Sequence, residues 1–280
     1  MADVKTGAAK ASSHGTRAGQ PKNSNNMLIN LIIVVVCLAI AHLIFHMVFG
    51  APSHFKDAEK HVPADFLGTM YSGGWVVPIL MSTALVLICF VVERALTIFK
   101  AKGKVAAGEF VRKVQYHLAN KDINAALAEC DKQAGSVGNV MRAGLVKYRD
   151  MINNSELDTD QKVLSIQKEI EEATALELPM LEKNLVFLST IASCATLLGL
   201  FGTVLGMIRS FAALATAGAP DAAALAAGIS EALINTALGI GTSFIAIVAY
   251  NFYTTIIDGI TFGIDESGFT LTQSFASNYK

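Results

Sequence analysis

Glu231 stands in an otherwise apolar run, with an amide one turn on at Asn235. Apart from Asp221 it is the only acid between Glu182 and Asp258. A carboxylate at or near a membrane span is costly to hold, so its presence points to ion handling. The competing reading is a carboxylate at an outer helix start, where the helix dipole favours negative charge. The residues around it are hydroxyl and small types. Within Leu188–Phe211, Ser189, Thr196, Thr203 and Ser210 recur every seven residues, with Ser193, Gly199 and Gly206 at helical offsets between them. Within Gly228–Tyr253, Ala232, Thr236, Gly239, Ser243, Ala246 and Tyr250 step by four and three, opposite the apolar Leu233, Ala237, Ile240, Phe244 and Ile247. A threonine can hold a water or relay a hydrogen bond, but it carries no charge near neutral pH. Glycines and hydroxyls also let transmembrane helices pack closely, as the spacing Gly202-xxx-Gly206 suggests. The residues thus divide into candidates for an ion pathway (Thr196, Thr203, Glu231, Asn235, Thr236 and Ser243) and candidates for helix packing (Gly199, Gly202, Gly206 and Gly239). The two striped helices hold no central Asp, Glu or Lys. If protons pass, the titrating group must come from elsewhere, and the simplest source is a partner helix inserted where stripes from several copies converge on one axis.

Other chemistry finds little support. His42 and His46 have a metal-ligand spacing, but no third ligand is near, so packing or an interfacial position is expected. There is no P-loop, G-x-S-x-G or HExxH motif. The apolar, small-residue lining offers no nucleophile for covalent chemistry, so neither an enzyme nor a cofactor is expected. The cysteines Cys37, Cys89, Cys130 and Cys194 show no metal spacing and no disulfide framework.

The elements that must position these residues are membrane helices. The chain has 280 residues, of which 52% are hydrophobic and 16% charged, with mean hydropathy +0.47, values well outside the soluble range. A net charge of −1 leaves no basic surplus for nucleic acid. Four runs are long enough to cross a bilayer: Met27–Phe49, Trp75–Val92, Leu185–Met207 and Ala232–Tyr253. The first reads as an uncleaved anchor rather than a signal peptide, because a polar lead of 26 residues precedes it. Basic residues orient the chain. The lead carries Lys5, Lys10, Arg17 and Lys22, the stretch 50–73 carries Lys56 and Lys60, the loop 93–184 carries fourteen, and the link 212–224 carries none. Both termini and the large loop are thus expected in the cytoplasm, with 50–73 and 212–224 outside.

Residues 1–26 read as a disordered tail, 50–74 as a short external loop and 263–280 as a second tail. The loop 93–184 reads as amphipathic helices over Glu109–Leu118, Ile123–Cys130 and Val137–Met151, with a break at Asn120–Asp122. A turn at Asn153–Asp160 precedes a charged helix that enters the third span with only Pro179 to interrupt it. One helix over 161–211 would be ~75 Å long, so about half would project from the membrane as part of a helical collar. The chain is therefore expected to be an all-α membrane protein with four spans. Inverted repeats and broken spans, which a secondary transporter would show, are absent.

The stretches LEKNLVFLSTIASCATLLGLFGTVLGMIRSF (Leu181–Phe211) and GISEALINTALGIGTSFIAIVAYN (Gly228–Asn251) resemble the ExbB/TolQ/MotA proton-channel family, and ExbB and TolQ most of all. The piece GLFGTVLGM and the pairing of SEALxxTAxG with a terminal YN carry the likeness. It is strong over 176–262 and weaker over 75–175. It implies a common core over 75–262, to which the tail and first span are additions. It implies a homopentamer in a bacterial inner membrane, whose two long helices line a pore. That pore would hold the single transmembrane helices of an ExbD- or TolR-like partner, and an aspartate on those helices would carry the proton. Work would pass to a TonB-like or TolA-like protein. Thr203 and Thr236 fall on the family's two pore threonines, and Glu231 on its motif glutamate. The sequence departs from the family at two prolines: Ala195 and Thr196 replace one, and Ser243–Ala246 replaces an A-I-P-A piece. Straighter helices are expected without them.

Overall fold

The computed structural model describes residues 23–56, 63–215 and 222–279. The described residues are nearly all helical and contain no strand. In chain order the helices are α1 (Asn23–Ile44), α2 (Phe66–Tyr71), α3 (Val76–Ala101), α4 (Ala107–Ala119), α5 (Ile123–Gln133), α6 (Gly135–Ile152), α7 (Thr159–Glu182), α8 (Leu185–Ala215) and α9 (Ala222–Asn278). Four helical runs are long and apolar enough to cross a membrane: Leu28–Phe49, Val76–Ala101 and the two runs that end at Ala215 and Asn278. The all-α, four-span architecture read from sequence is therefore present. Lys5, Lys10, Arg17, Lys22, Lys60 and Asp221 lie outside the described residues, as does the expected tail 1–26 up to residue 22.

The spans form two layers. Helices α8 and α9 pack against each other over their length, and α3 lies across both. The first span, α1, packs on α3 and leaves Leu28, Leu31, Val35 and Leu43 exposed to the surroundings, as suits lipid-facing side chains. Cys37 of α1 sits 4.0 Å from Cys89 of α3, sulfur to sulfur.

Beyond the spans, α4, α6 and α7 gather around the second half of α9, and α5 packs on α4 and α6. Each is amphipathic, and together they bury Phe110, Val114, Met141, Tyr148, Ile166 and Phe275. Local signals set their ends. Asp158 and Gln161 form a reciprocal capping box at the start of α7, and Asp122 accepts from Ala125 N at 2.9 Å to start α5. Lys121, with φ 58°, makes the turn expected at Asn120–Asp122.

Two sequence expectations change. First, α9 does not stop near Tyr253 but continues unbroken to Asn278, so most of 263–280 is helix, part of the α9 that packs with α4, α6 and α7, rather than a tail. Second, 161–211 is two helices. The break falls at Lys183–Asn184, and Pro179 lies inside α7. Asn184 takes φ 63°, a left-handed conformation that asparagine tolerates better than most residues. Side chains from other helices hold it there. Asn184 Nδ2 donates to Glu93 Oε2 at 3.2 Å, and Asn30 Nδ2 of α1 donates to Asn184 Oδ1 at 3.1 Å. Arg94 Nη1 donates to Leu181 O at 3.2 Å, and the same guanidinium grips Glu93 at 2.5 and 2.7 Å. The pair Glu93-Arg94, which reads in sequence as a solvated mark of the span's end, is thus half of a clasp between helices in which Arg94 is only 1% exposed while Glu93 stays partly open.

The seat of α1 on α3 can be tested through its thiols. In a Cys194→Ser background, mild oxidation should protect Cys37 and Cys89 together from later maleimide labelling, and reduction should restore both. Cys130 will not interfere, because burial pushes its thiol up to about 12. Full labelling of both thiols after oxidation would show that α1 does not seat as described.

Candidate functional site

The site is built on the crossing of α8 and α9. Gly199, Gly202, Gly206 and Gly239 are all buried there. A Cβ on Gly239 would lie 2.7 Å from Ala195 O and 2.8 Å from Gly199 Cα. One on Gly206 would lie 2.6 Å from Gly228 O. These obstacles are backbone atoms, which cannot move aside as a flexible side chain can. The two helices therefore touch main chain to main chain, as small residues permit in lipid. Ser243 and Ser210 are buried in the same seam and donate to main-chain oxygens of neighbouring segments, Ala192 O and Leu225 O respectively.

At one end of the seam is a polar cluster. Glu231 is 3% exposed, and Arg209 Nη1 donates to its two carboxylate oxygens at 2.8 and 2.7 Å. Arg209 itself is half open, its side chain 53% exposed. The turn before α3 closes the cluster. Gly74 has φ 76°, and a Cβ there would lie 2.5 Å from Glu231 Oε1, so only glycine fits both the backbone and the space. Asn235 is fully buried (0% exposed) and donates from Nδ2 to Gly73 O at 3.0 Å. Its Oδ1 is the one buried side-chain polar atom among the described residues that lacks a hydrogen-bond partner. Such an atom suits a water or an incoming donor.

The structure separates residues that the sequence places in one stripe. The glycines, Glu231, Asn235 and Ser243 face the seam. Thr203 and Thr236 are half-buried at its margin, and Thr196 is exposed. Thr203 Oγ1 donates to Leu200 O at 2.5 Å and Thr236 Oγ1 to Ala232 O at 3.0 Å, so each returns its proton to its own helix. The hydroxyl oxygens keep acceptor capacity. A seven-residue repeat on a 3.6-residue helix drifts ~20° per step. That drift carries the line from exposed Thr196 through half-buried Thr203 to buried Ser210. Around the threonines, Leu197, Leu200, Val204, Leu233 and Ile240 are exposed in the single chain.

Sequence reasoning passed over Arg209, Gly73 and Gly74. Arg209 left one signal, since it is the only basic residue between Lys183 and Lys280. The two glycines read only as part of a loop.

Residues 133–266 match the model of the MotA/TolQ/ExbB proton channel family. The chain carries a MotA/TolQ/ExbB family domain. That domain runs from the end of α5 through most of α9, so it includes the whole seam and stops short of α1 and α3. Relatives bear both names. The chain is 36% identical over 132 residues to the Tol-Pal system protein TolQ of Pseudomonas aeruginosa, covering 45% of this chain and 57% of that one. It is 30% identical over 167 residues to the biopolymer transport protein ExbB of Pseudomonas putida, covering 58% and 50%. It is 29% identical over 186 residues to ExbB of Neisseria gonorrhoeae, covering 64% and 80%. The chain thus spans about half the length of the first two of these relatives. The family match and the apolar helices agree that this is a membrane protein.

Two outcomes are expected from this geometry. Gly239→Ala should destabilise the family domain by about 1–3 kcal/mol through overpacking, read as a lower melting midpoint in detergent. Gly241→Ala, two residues on with nothing within 4 Å of its Cβ, should be neutral or slightly stabilising. Equal effects would mean that the seam does not close as described. For the charge pair, Arg209→Gln strands a buried carboxylate. It should cost up to ~3 kcal/mol, the lower end for a broken buried pair, because solvent already screens Arg209. Glu231→Gln should cost less, and the double variant should recover part of the loss. A silent Arg209→Gln would remove the pair as a support of the fold.

Proposed function

We propose that this chain is an ExbB-like subunit of a proton-driven motor in a bacterial inner membrane. Copies assemble as a homopentamer around the membrane helices of an ExbD- or TolR-like single-span protein. An aspartate on that partner carries the proton, and the work is delivered to a TonB-like protein that acts in import at the outer membrane. The observation that carries this reading is the arrangement of α8 and α9. A dry glycine seam fixes two helices as one rigid blade, and the half-buried Thr203 and Thr236 sit on the edges of that blade, each with acceptor capacity to spare. The blade has no titrating group midway, so a neighbouring helix must supply one. Thr203 and Thr236 position the partner and its water, with Thr196 on the outer line and Ser243 and Asn235 as polar contacts deeper in. Glu231, held by Arg209 at one end, tunes entry. The fourteen Lys and Arg residues of the loop 93–184 orient the chain with both termini in the cytoplasm. The extra first span and the tail before it are additions to a core over 75–262.

A TolQ-like role in envelope integrity, or a gliding-type motor subunit, is the second reading, and the 36% identity to a TolQ over 132 residues favours the former. A non-conducting scaffold is the third. It assigns the seam to packing alone and gives the threonines nothing to do.

Thr203→Ala combined with Thr236→Ala should abolish energised transport while leaving assembly intact. Native mass spectrometry of the chain co-expressed with a neighbouring single-span protein would report assembly, and proton flux into liposomes would report conduction. Full flux in the double variant would remove the pore assignment. A monomer or dimer would favour the scaffold.

A further inference from the structure

We propose that Asn235 Oδ1 binds a buried water that bridges it to the Glu231 carboxylate, in the corner where α8, α9 and the turn before α3 meet. The site rests on these three segments alone and does not depend on the motor reading.

The amide is fixed in one orientation. Asn235 is 0% exposed, and its Nδ2 donates to Gly73 O at 3.0 Å. A carbonyl only accepts, so the nitrogen must face Gly73 and the oxygen must face the other way. Gly202 holds the side chain there. A Cβ on Gly202 would lie 2.5 Å from Asn235 Cβ and 2.6 Å from its Cγ, so the amide lies against α8 in the space that glycine leaves. Oδ1 is then the one buried side-chain nitrogen or oxygen among the described residues with no partner. A buried acceptor is rarely left without a donor, because its lost hydration is not recovered.

The neighbouring acid narrows the choice of occupant. Glu231 is four residues earlier on α9, on the same helix face and ~6 Å away along the axis. It is 3% exposed, and Arg209 Nη1 donates to both of its oxygens. A carboxylate accepts about four hydrogen bonds, so capacity remains. An amide oxygen and a carboxylate cannot bond each other, but a molecule with two donors can join them. Two O–H···O bonds of ~2.8 Å each nearly cover the rise between them. An alkali cation could also join two oxygens, but the Arg209 guanidinium already lies 2.7 Å from the same carboxylate and opposes a second positive charge. Both side chains are enclosed, and Gly74 packs on Glu231 Oε1, so the occupant is small. Water meets each requirement: two donors, polar surroundings and the size of a single heavy atom.

The water carries the polar cluster one turn deeper. Arg209 is half open, Glu231 is enclosed behind it, and the water continues the chain of hydrogen bonds to Asn235, the residue next to Thr236.

Cryo-electron microscopy of the full chain in nanodiscs, at a resolution that shows ordered water, tests the site directly. One peak is expected at ~2.8 Å from both Asn235 Oδ1 and a Glu231 oxygen. Radiolytic hydroxyl-radical footprinting gives a second reading, since a bound water produces the radical in place. Val77 is 0% exposed and packs beside Gly73, so it should be labelled in the wild type despite its burial. Asn235→Leu should lose that label, and Gly241→Ala should keep it. If Asn235→Leu fails to fold, the wild-type map and label still decide. A map with no peak at Oδ1, or an unlabelled Val77 in the wild type, would overturn the site. A side-chain donor from another segment or a second copy seated on Oδ1 would overturn it as well. A wild-type melting midpoint that rises when sodium replaces choline, with no such rise in Asn235→Leu, would overturn water in favour of a cation.

Discussion

The close approach of α8 to α9 is the constraint on which the rest depends. Lipid gives two apolar helices no reason to prefer each other over acyl chains, so their association rests on packing and on hydrogen bonds across the contact. Glycines at 199, 206 and 239 bring backbone to within a Cβ of backbone. That proximity lets Ser243 and Ser210 reach main-chain oxygens, and it places Asn235 against Gly202 with no room between them. A wider spacing would admit lipid or water and strand these polar groups at a cost of several kcal/mol each in hydrocarbon.

Two charge clusters bracket this seam. One is the Arg94–Glu93 clasp at the break between α7 and α8, and the other is the Arg209–Glu231 pair near the far end of α8. Asn184 and Arg209 are 25 residues apart, or ~37 Å of helix, slightly more than a hydrocarbon core of about 30 Å. Charges at those positions reach the two headgroup layers, where their desolvation costs least. Each cluster also recruits α3. Arg94 belongs to it, and the Gly73–Gly74 turn that covers Glu231 and Asn235 leads into it. Helix α3 is thereby pinned to the α8–α9 blade at both ends, and α1 is tied in through Asn30.

This pinning gives the threonines their character. Thr203 and Thr236 each donate to their own helix; they stand half-buried at the margins of the pair among exposed apolar side chains. Apolar side chains exposed in this way suit lipid or a packed neighbouring helix.

Much of the fold was legible in the residues because the signals are local. Apolar length marked the four spans, amphipathic period marked α4 to α6 to within a few residues, and the Asn120–Asp122 break carries its own turn chemistry. The glycine spacing and the isolation of Glu231 marked the seam and its end. Contacts distant in sequence were not legible. The break at Lys183–Asn184 has no glycine or proline, and side chains from α1 and α3 impose it. The pairing of Arg209 with Glu231, the closure by Gly73 and Gly74, and the unpaired Oδ1 of Asn235 depend on where three helices cross. The sequence by itself determined which faces are small or apolar, since that is a matter of period. Only the tertiary structure decided which of those faces turn toward each other, because packing geometry and the drift of a seven-residue repeat choose among positions that composition leaves equivalent.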